Sequence, residues 1–422
     1  MNQSTEPREQ SSVPSTDAPR TLRGTAWAVL ASALGACATV GGGASGSEEQ
    51  PSAAEKQAMT SVGGKANGVI VWSSSRLGNH DLFVMNTDGS NVHAITQGDA
   101  VDWFPRFSPD GSRILFTRSK KGWVYERDSN SDGKWDIFTV TPDGKEETKV
   151  VDNASWGGWI GNDEIIYVRS TAVFRRALSG DAETLLVDST KAKTLDGALL
   201  QQPELSKDGA YLAITLRGSK RETGIWDLKK KTWTRTGEGC QINWTPAGDE
   251  IYWVHPTGNG GSRVLHLPVA SGKPSKSDAD LDAITLIDLP GRRSHEYFPE
   301  LSSDGKWLVW GATQRGHDHD IADYEIYLWE VGTPADTAAR LTYHSGNDRW
   351  PDIFIGTTAP TSGAQTSTAA AKNNDAAAKN GDAAAKNNDA TAAAKNNDTA
   401  AAGPDDNAAP SKRPAKSKKK HH

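Results

Sequence analysis

Two stretches of the chain carry side chains at spacings that chemistry uses. The first, RDSNSDGKWDIF, places Asp128, Asn130, Asp132 and Asp136 at alternate positions, with Gly133 sixth and Lys134 seventh. Alternate oxygen side chains, a glycine for the sharp turn and a backbone carbonyl from Lys134 suit a hard cation with about six to eight oxygen ligands, so a structural Ca2+ is the expected cofactor. The competing reading is a polar hairpin tip held by Asx-turns. The second stretch, QRGHDHDIADYEIYLW, crowds His317, Asp318, His319, Asp320 and Asp323. Imidazole and carboxylate both ligate transition metals. Alternate residues on a strand or loop seldom converge, however, and a solvated loop is the simpler reading. His80 sits at an ordinary repeat position and reads as structural.

Other chemistries find no footing. The sequence contains no G-x-S-x-G elbow, H-E-x-x-H, C-x-x-C or P-loop. A net charge of -6 gives no general case for nucleic acid. No apolar run reaches the roughly 18–20 residues that span a bilayer.

The two cysteines stand in different surroundings. RTLRGTAWAVLASALGAC combines Arg20 and Arg23, a short apolar stretch and small residues before Cys37, the pattern of a secretory signal. It also resembles the lipobox of bacterial lipoproteins, which implies that Cys37 is lipidated and becomes the mature N-terminus. Ala38, not aspartate, follows; by the same resemblance this favours the outer membrane. Cys240 is then alone, a small buried strand residue, and no disulfide framework is implied.

Residues 38–64, rich in Gly, Ser, Ala and Glu, read as a flexible tether. From residue 358 the chain turns into AAAKNND-type repeats with no apolar face, a low-complexity spacer. It ends in six basic residues between Lys412 and Lys420, suited to an anionic envelope surface or simply to solubility.

The segment between these tails must position the two loops, and it is repetitive. FPRFSPDGSRILFTR, QPELSKDGAYLAITLR and FPELSSDGKWLVWGA each join a proline-bearing strand to a second strand through S-x-D-G. WGGWIGNDEIIYVRS and QINWTPAGDEIYWVH are degenerate copies, and starts recur every 40 to 57 residues or so, the period of propeller blades. Asp-Gly supplies the tight hairpin, β-branched and aromatic residues the strands. Third strands (HDLFVMN, WDIFTVT, TGIWDL, RVLHLPV, YEIYLWEV) and weaker fourth strands complete four-stranded units. WPDIFIG, near residue 356, is a sixth first strand whose partner is GVIVWSSSR at residues 68–76. Joining the ends closes a ring without free edges. The expected fold is all-β, a six-bladed β-propeller over residues 65–357.

PRFSPDG at Pro105–Gly111, GNHDLF at Gly78–Phe83 and NTDG at Asn86–Gly89 resemble the TolB-type (WD40-like) propeller family. That resemblance implies a periplasmic protein that works by binding an outer-membrane lipoprotein or translocating toxins, without catalysis. The acidic loop is similar to calcium loops of integrin-type propellers, which end at a ninth-position aspartate; an EF-hand would need a glutamate where Thr139 stands. Some TolB-like propellers resemble oligogalacturonate lyases, whose channel histidines hold a metal. That implies an alternative function, a metal-dependent lyase on an acidic sugar polymer using His295, His317, His319 and His344.

In a four-stranded blade, links between strands two and three and links between blades leave on one face. Both loops lie there, with Arg292, Arg293 and His295 of PGRRSHEYFP and His344, Asn347, Asp348 and Arg349 of YHSGNDRWP. With His317, Asp318, His319 and Asp320 they form the expected binding face at the channel mouth. The reading is therefore a lipid-anchored envelope propeller that binds an envelope protein or a peptidoglycan-associated partner, touching membrane only through its anchor.

Overall fold

The computed structural model describes residues 49–218, 220–275 and 281–356. Cys37 and its lipobox, the start of the expected tether and the spacer with its basic tail lie outside these residues. The described residues form six antiparallel sheets in chain order, the blades of a propeller. Blade 1 is built from Asp348–Ile355, Gly68–Ser74, Asp81–Asn86 and His93–Ala94. Blade 2 is Asp102–Phe107, Ile114–Ser119, Trp135–Val140 and Thr148–Val151. Blade 3 begins at Ser155–Ile160, blade 4 at Leu199–Leu205, blade 5 at Cys240–Trp244 and blade 6 at His295–Leu301.

Closure follows the half repeat seen in the sequence. Asp348–Ile355 pairs antiparallel with Gly68–Ser74, from Gly68 opposite Ile355 to Ser74 opposite Asp348. The S-x-D-G turns explain the regularity of the hairpins. Ser108 Oγ donates to Asp110 Oδ1 at 2.6 Å and accepts from Arg113 N at 3.0 Å, while Gly111 takes φ 70°. The same bonds recur at Ser206 with Asp208 and at Ser302 with Asp304.

One repeated feature was not foreseen. Each blade's first strand has a register shift, and at each shift a non-glycine residue has positive φ: Phe104, Trp156, Gln202, Gln241, Phe298 and Trp350. Aromatic and amide residues rarely adopt this conformation, so the ring must over-determine it. A bulge re-aims its side chain. All six side chains are buried. The Phe298 ring lies tilted 4.3 Å from Trp350, Phe104 lies 5.0 Å from Trp156 and 5.1 Å from Trp350, and Gln241 Oε1 accepts from Phe298 N at 2.6 Å. These side chains fill the channel at mid-depth. The proline after four of them (Pro105, Pro203, Pro299, Pro351) sits where a bulge leaves the N–H without a ladder partner.

Part of the segment read as tether is ordered structure. Ala53–Gly63 is an α-helix, opened by a capping box in which Ser52 and Glu55 bond reciprocally. Its Met59 and Val62 pack on the cluster containing Leu341, Ala339 and Ile70. Glu49 bonds Arg340 at 2.6 Å, and its N–H donates to Tyr343 O. The apolar stripe is too short to stand out from the flanking Ala and Glu, which is why composition alone suggested a tether.

Candidate functional site

The long second-to-third-strand links of blades 2 and 6 meet at the channel mouth. Glu126, in a single 3-10 turn at Glu126–Asp128, reaches the blade 6 loop and the closing strand together. His319 Nδ1 lies 2.7 Å from Glu126 Oε1. Trp350 Nε1 donates to Glu126 Oε2 at 3.0 Å, and Arg349 Nη1 stands 3.4 Å from the same oxygen. Arg349 also pairs with Asp320 at 2.9 Å and donates to His319 O at 2.6 Å. Asp320 accepts in turn from Glu126 N, at 3.1 Å to each oxygen. The network ties two blades to the strand that closes the ring.

Its electrostatics are those of a buried ion cluster. The Arg349 side chain is 1% exposed. Burial drives the Glu126 carboxyl upward, yet His319 and Arg349 beside it outweigh burial and hold it below the usual carboxylate range. Asp320 is raised, because burial and the neighbouring Glu126 charge prevail over Arg349. The sequence reading missed Glu126 and Trp350: in KKGWVYERDSNSDG attention went to the acidic spacing, and the bulge residue carried no mark.

The remaining expected face residues are placed as follows. Asn347 Nδ2 donates to His319 O at 2.8 Å, and Asp348 pairs with Arg76 at 2.8 Å. Asp318 Oδ1 accepts from Asp320 N at 2.9 Å. Arg293 bonds Asp323, whereas Arg292 is exposed. His317 stacks on Tyr297, ring centroids 6.4 Å apart, and His295 is held low by burial and by His317. His344 Nδ1 accepts from Gly346 N. Of the four histidines proposed for a lyase metal, His317 and His319 both lie against Tyr297, at 6.4 and 4.9 Å between ring centroids, while His344 turns to Gly346. Among the described residues no three His, Cys, Asp or Glu side chains gather as a metal requires.

The acidic loop does not fit a calcium ion either. Lys134, expected to offer only its carbonyl, sends its Nζ to Asp128 Oδ2 at 2.6 Å. Asn130 is buried and donates to the carbonyls of Ser170 and Leu200. Asp136 accepts from Asn153 N and faces Lys120 at 3.1 Å and Lys149 at 3.7 Å, while Asp132 is exposed. Lysines pair with Asp128 and Asp136, which point to separate partners, and Asp132 faces solvent. His80 is fully buried against Ser73, and burial keeps it well below its ordinary range. Cys240 is buried and free, its thiol raised by burial.

On the side of blades 4 to 6, Gln201 and the buried Tyr297 stand near the starts of their first strands and Arg217 ends the strand beside Gln201. Arg217 Nε donates to Gln201 Oε1 at 3.2 Å. Beyond the aromatic fill, two residues further along each first strand, stand Arg106, Glu204, Asn243, Glu300 and Asp352. Arg106 pairs with Glu300. Burial, opposed by the Trp244 N–H and Arg106, pushes Glu204 to about 7; Glu300 and Asp352 are raised, first by burial.

Comparison with known proteins gives a partial likeness. No family model matches the chain. It is 42% identical over 69 residues to the Tol-Pal system protein TolB of Ruegeria sp., covering 15% of this chain and 16% of that protein. It is 36% identical over 80 residues to TolB of Roseobacter denitrificans, covering 17% and 18%. The chain thus matches less than a fifth of the length of these curated relatives. Among solved structures, TolB from Acinetobacter baumannii aligns at 14% identity and TM-score 0.48, covering 68% of this chain and 66% of that one. A putative TolB from Agrobacterium tumefaciens aligns at 15% and 0.44, covering 69% and 100%. The chain is a six-bladed propeller similar in part of its sequence to TolB.

Proposed function

We propose that the protein is a non-catalytic propeller of the cell envelope, held to the outer membrane by a lipid on Cys37, and that it captures another envelope protein or a peptidoglycan-associated partner. The observation supporting capture at the channel mouth is the Glu126–His319–Arg349–Asp320 cluster. It fixes one side of the mouth, and beside it stand Gln201, Arg217 and the exposed His317, backed by the buried Tyr297, as a polar rim. Rigid scaffolds presenting such rims bind without a large ordering cost. His319 and His344 are engaged with Glu126 and Gly346, and no three metal-ligating side chains gather among the described residues, which favours recognition over metal chemistry. The likeness to TolB and the signal-like segment before Cys37 support the envelope setting.

The test is crosslinking and capture in the native cells, with the full chain, a form ending at Thr358, and Arg217→Glu. One defined partner should accompany the first two forms and be lost from the third, whose melting temperature stays that of the native chain. Undiminished capture by Arg217→Glu, or no specific partner with any form, overturns the reading.

A further inference from the structure

Six large apolar side chains are exposed among the described residues: Leu77, Val92, Trp123, Tyr125, Leu185 and Ile321. Four of them, Leu77, Trp123, Tyr125 and Ile321, stand on second-to-third-strand links of blades 1, 2 and 6, on the channel-mouth face. They are near one another. The Trp123 and Tyr125 rings meet edge to face at 6.0 Å, and Trp123 lies 5.4 Å from His80 in the turn that carries Leu77. The bonds from Glu126 N to Asp320 set the loop bearing Ile321 beside Tyr125. Ile321 is 74% exposed.

We propose that these tips are a membrane-docking edge, with Leu77, Trp123, Tyr125 and Ile321 entering the headgroup layer of a phospholipid surface. Leu77 and Ile321 project at loop ends, and Trp123 and Tyr125 border a shallow hollow whose other walls include Lys120, Lys121 and Lys134, so the apolar tips are flanked by cations that a phosphate-bearing surface would meet. Trp and Tyr favour that layer because their rings are apolar and their N–H and O–H groups remain wet. Exposed Lys121, Arg127, Arg292 and Arg315 on the same face make no ion pair among the described residues and can meet phosphates, while Asp99, Asp132 and Asp318 can meet headgroup amines. Arg127 lies 4.4 Å over the Tyr125 ring, cation and aromatic together.

The path of the chain points the same way. Glu49 bonds Tyr343 at the channel-mouth end of blade 6, and the following helix runs toward Gly68, which starts its strand at the opposite end. Glu49, the first described residue, therefore stands on the docking face. The twelve residues from Cys37 to Glu49 reach at most about 40 Å when fully extended. The inference rests on the envelope setting above but not on the captured partner. Contact at the edge formed by blades 1, 2 and 6 leaves the Arg217 side of the mouth open.

The test uses the full chain carrying Cys37→Ser, with an environment-sensitive dye on Ile321→Cys or, as the opposite-face control, on Val92→Cys; Cys240 is buried and takes no dye. Vesicles of phosphatidylethanolamine and phosphatidylglycerol are added. The dye at position 321 should brighten and shift to the blue, and the dye at 92 should not change. The response should persist in about 1 M salt, where charges are screened beyond about 3 Å, because apolar insertion drives it. It should fall when Trp123→Ser and Tyr125→Ser are added. No change at 321, an equal response at 92, or complete loss in salt overturns the proposal. None of these results bears on protein capture.

Discussion

Replacing Arg349 with methionine probes the clasp at the channel mouth. The side chain is 1% exposed and is the cation facing both Asp320, at 2.9 Å, and Glu126, at 3.4 Å. Methionine keeps much of the volume but leaves two partly desolvated carboxylates with only His319 beside them. Removing one partner of a buried ion pair costs about 3–5 kcal/mol. At about 2 °C per kcal/mol for a domain of this size, the melting temperature falls by roughly 6–10 °C. The loss depends on pH. Without Arg349, Glu126 keeps His319, the main cause of its lowering, but loses a second cation and is held low less strongly, while Asp320, already raised, rises further. Both groups shift upward relative to the native fold, and Asp320 retains a proton that the unfolded chain releases, so the deficit is greatest near pH 8 and shrinks toward pH 5. Calorimetry across that range reads both effects. Adding Glu126→Gln and Asp320→Asn should restore part of the loss at pH 8, since no uncompensated charge remains. An unchanged melting temperature, or a deficit that grows toward acid pH, refutes the argument.

Three further outcomes follow from the same structure. Glu204 has a folded pKa near 7 against an ordinary 4.5, so its contribution is fully present below about 4.5 and is lost as pH rises toward 7; native melting temperature should fall between pH 5 and 8, and Glu204→Gln should flatten that fall. A chain ending at Tyr343 lacks the strand Asp348–Ile355 and should expose an open edge and aggregate, whereas one ending at Thr358 should melt with the full chain, as circular dichroism would report. Millimolar calcium should leave the melting temperature unchanged, because Lys134, Lys120 and Lys149 already neutralise the acidic loop; a rise of several degrees would contradict that arrangement.

The fold was legible where the repeat is carried by turn chemistry. S-x-D-G marks a serine, an aspartate and a positive-φ glycine, and all three bonds are local, so a short window suffices to recognise them. WPDIFIG could be read as a closing strand because it is half of the same repeat. The ring of bulges was less visible: six different side chains occupy it, and only the following proline hinted at a missing N–H. Glu126 went unnoticed because its partners lie 193 and 223 residues away, a distance no local pattern spans. The acidic loop misled for the converse reason. Its spacing matches a cation site, but its own Lys134, the nearby Lys120 and Lys149, and two carbonyls claim its side chains first.

The most direct test of recognition at the channel mouth is site-specific photocrosslinking in the native cells, with the reactive amino acid at position 317 or at position 185. His317 stands on the rim, and Leu185 is exposed on the outer strand of blade 3. A single defined protein adduct from 317 and none from 185 is the predicted result. Adducts from neither position, or the same adducts from both, would contradict capture at the mouth.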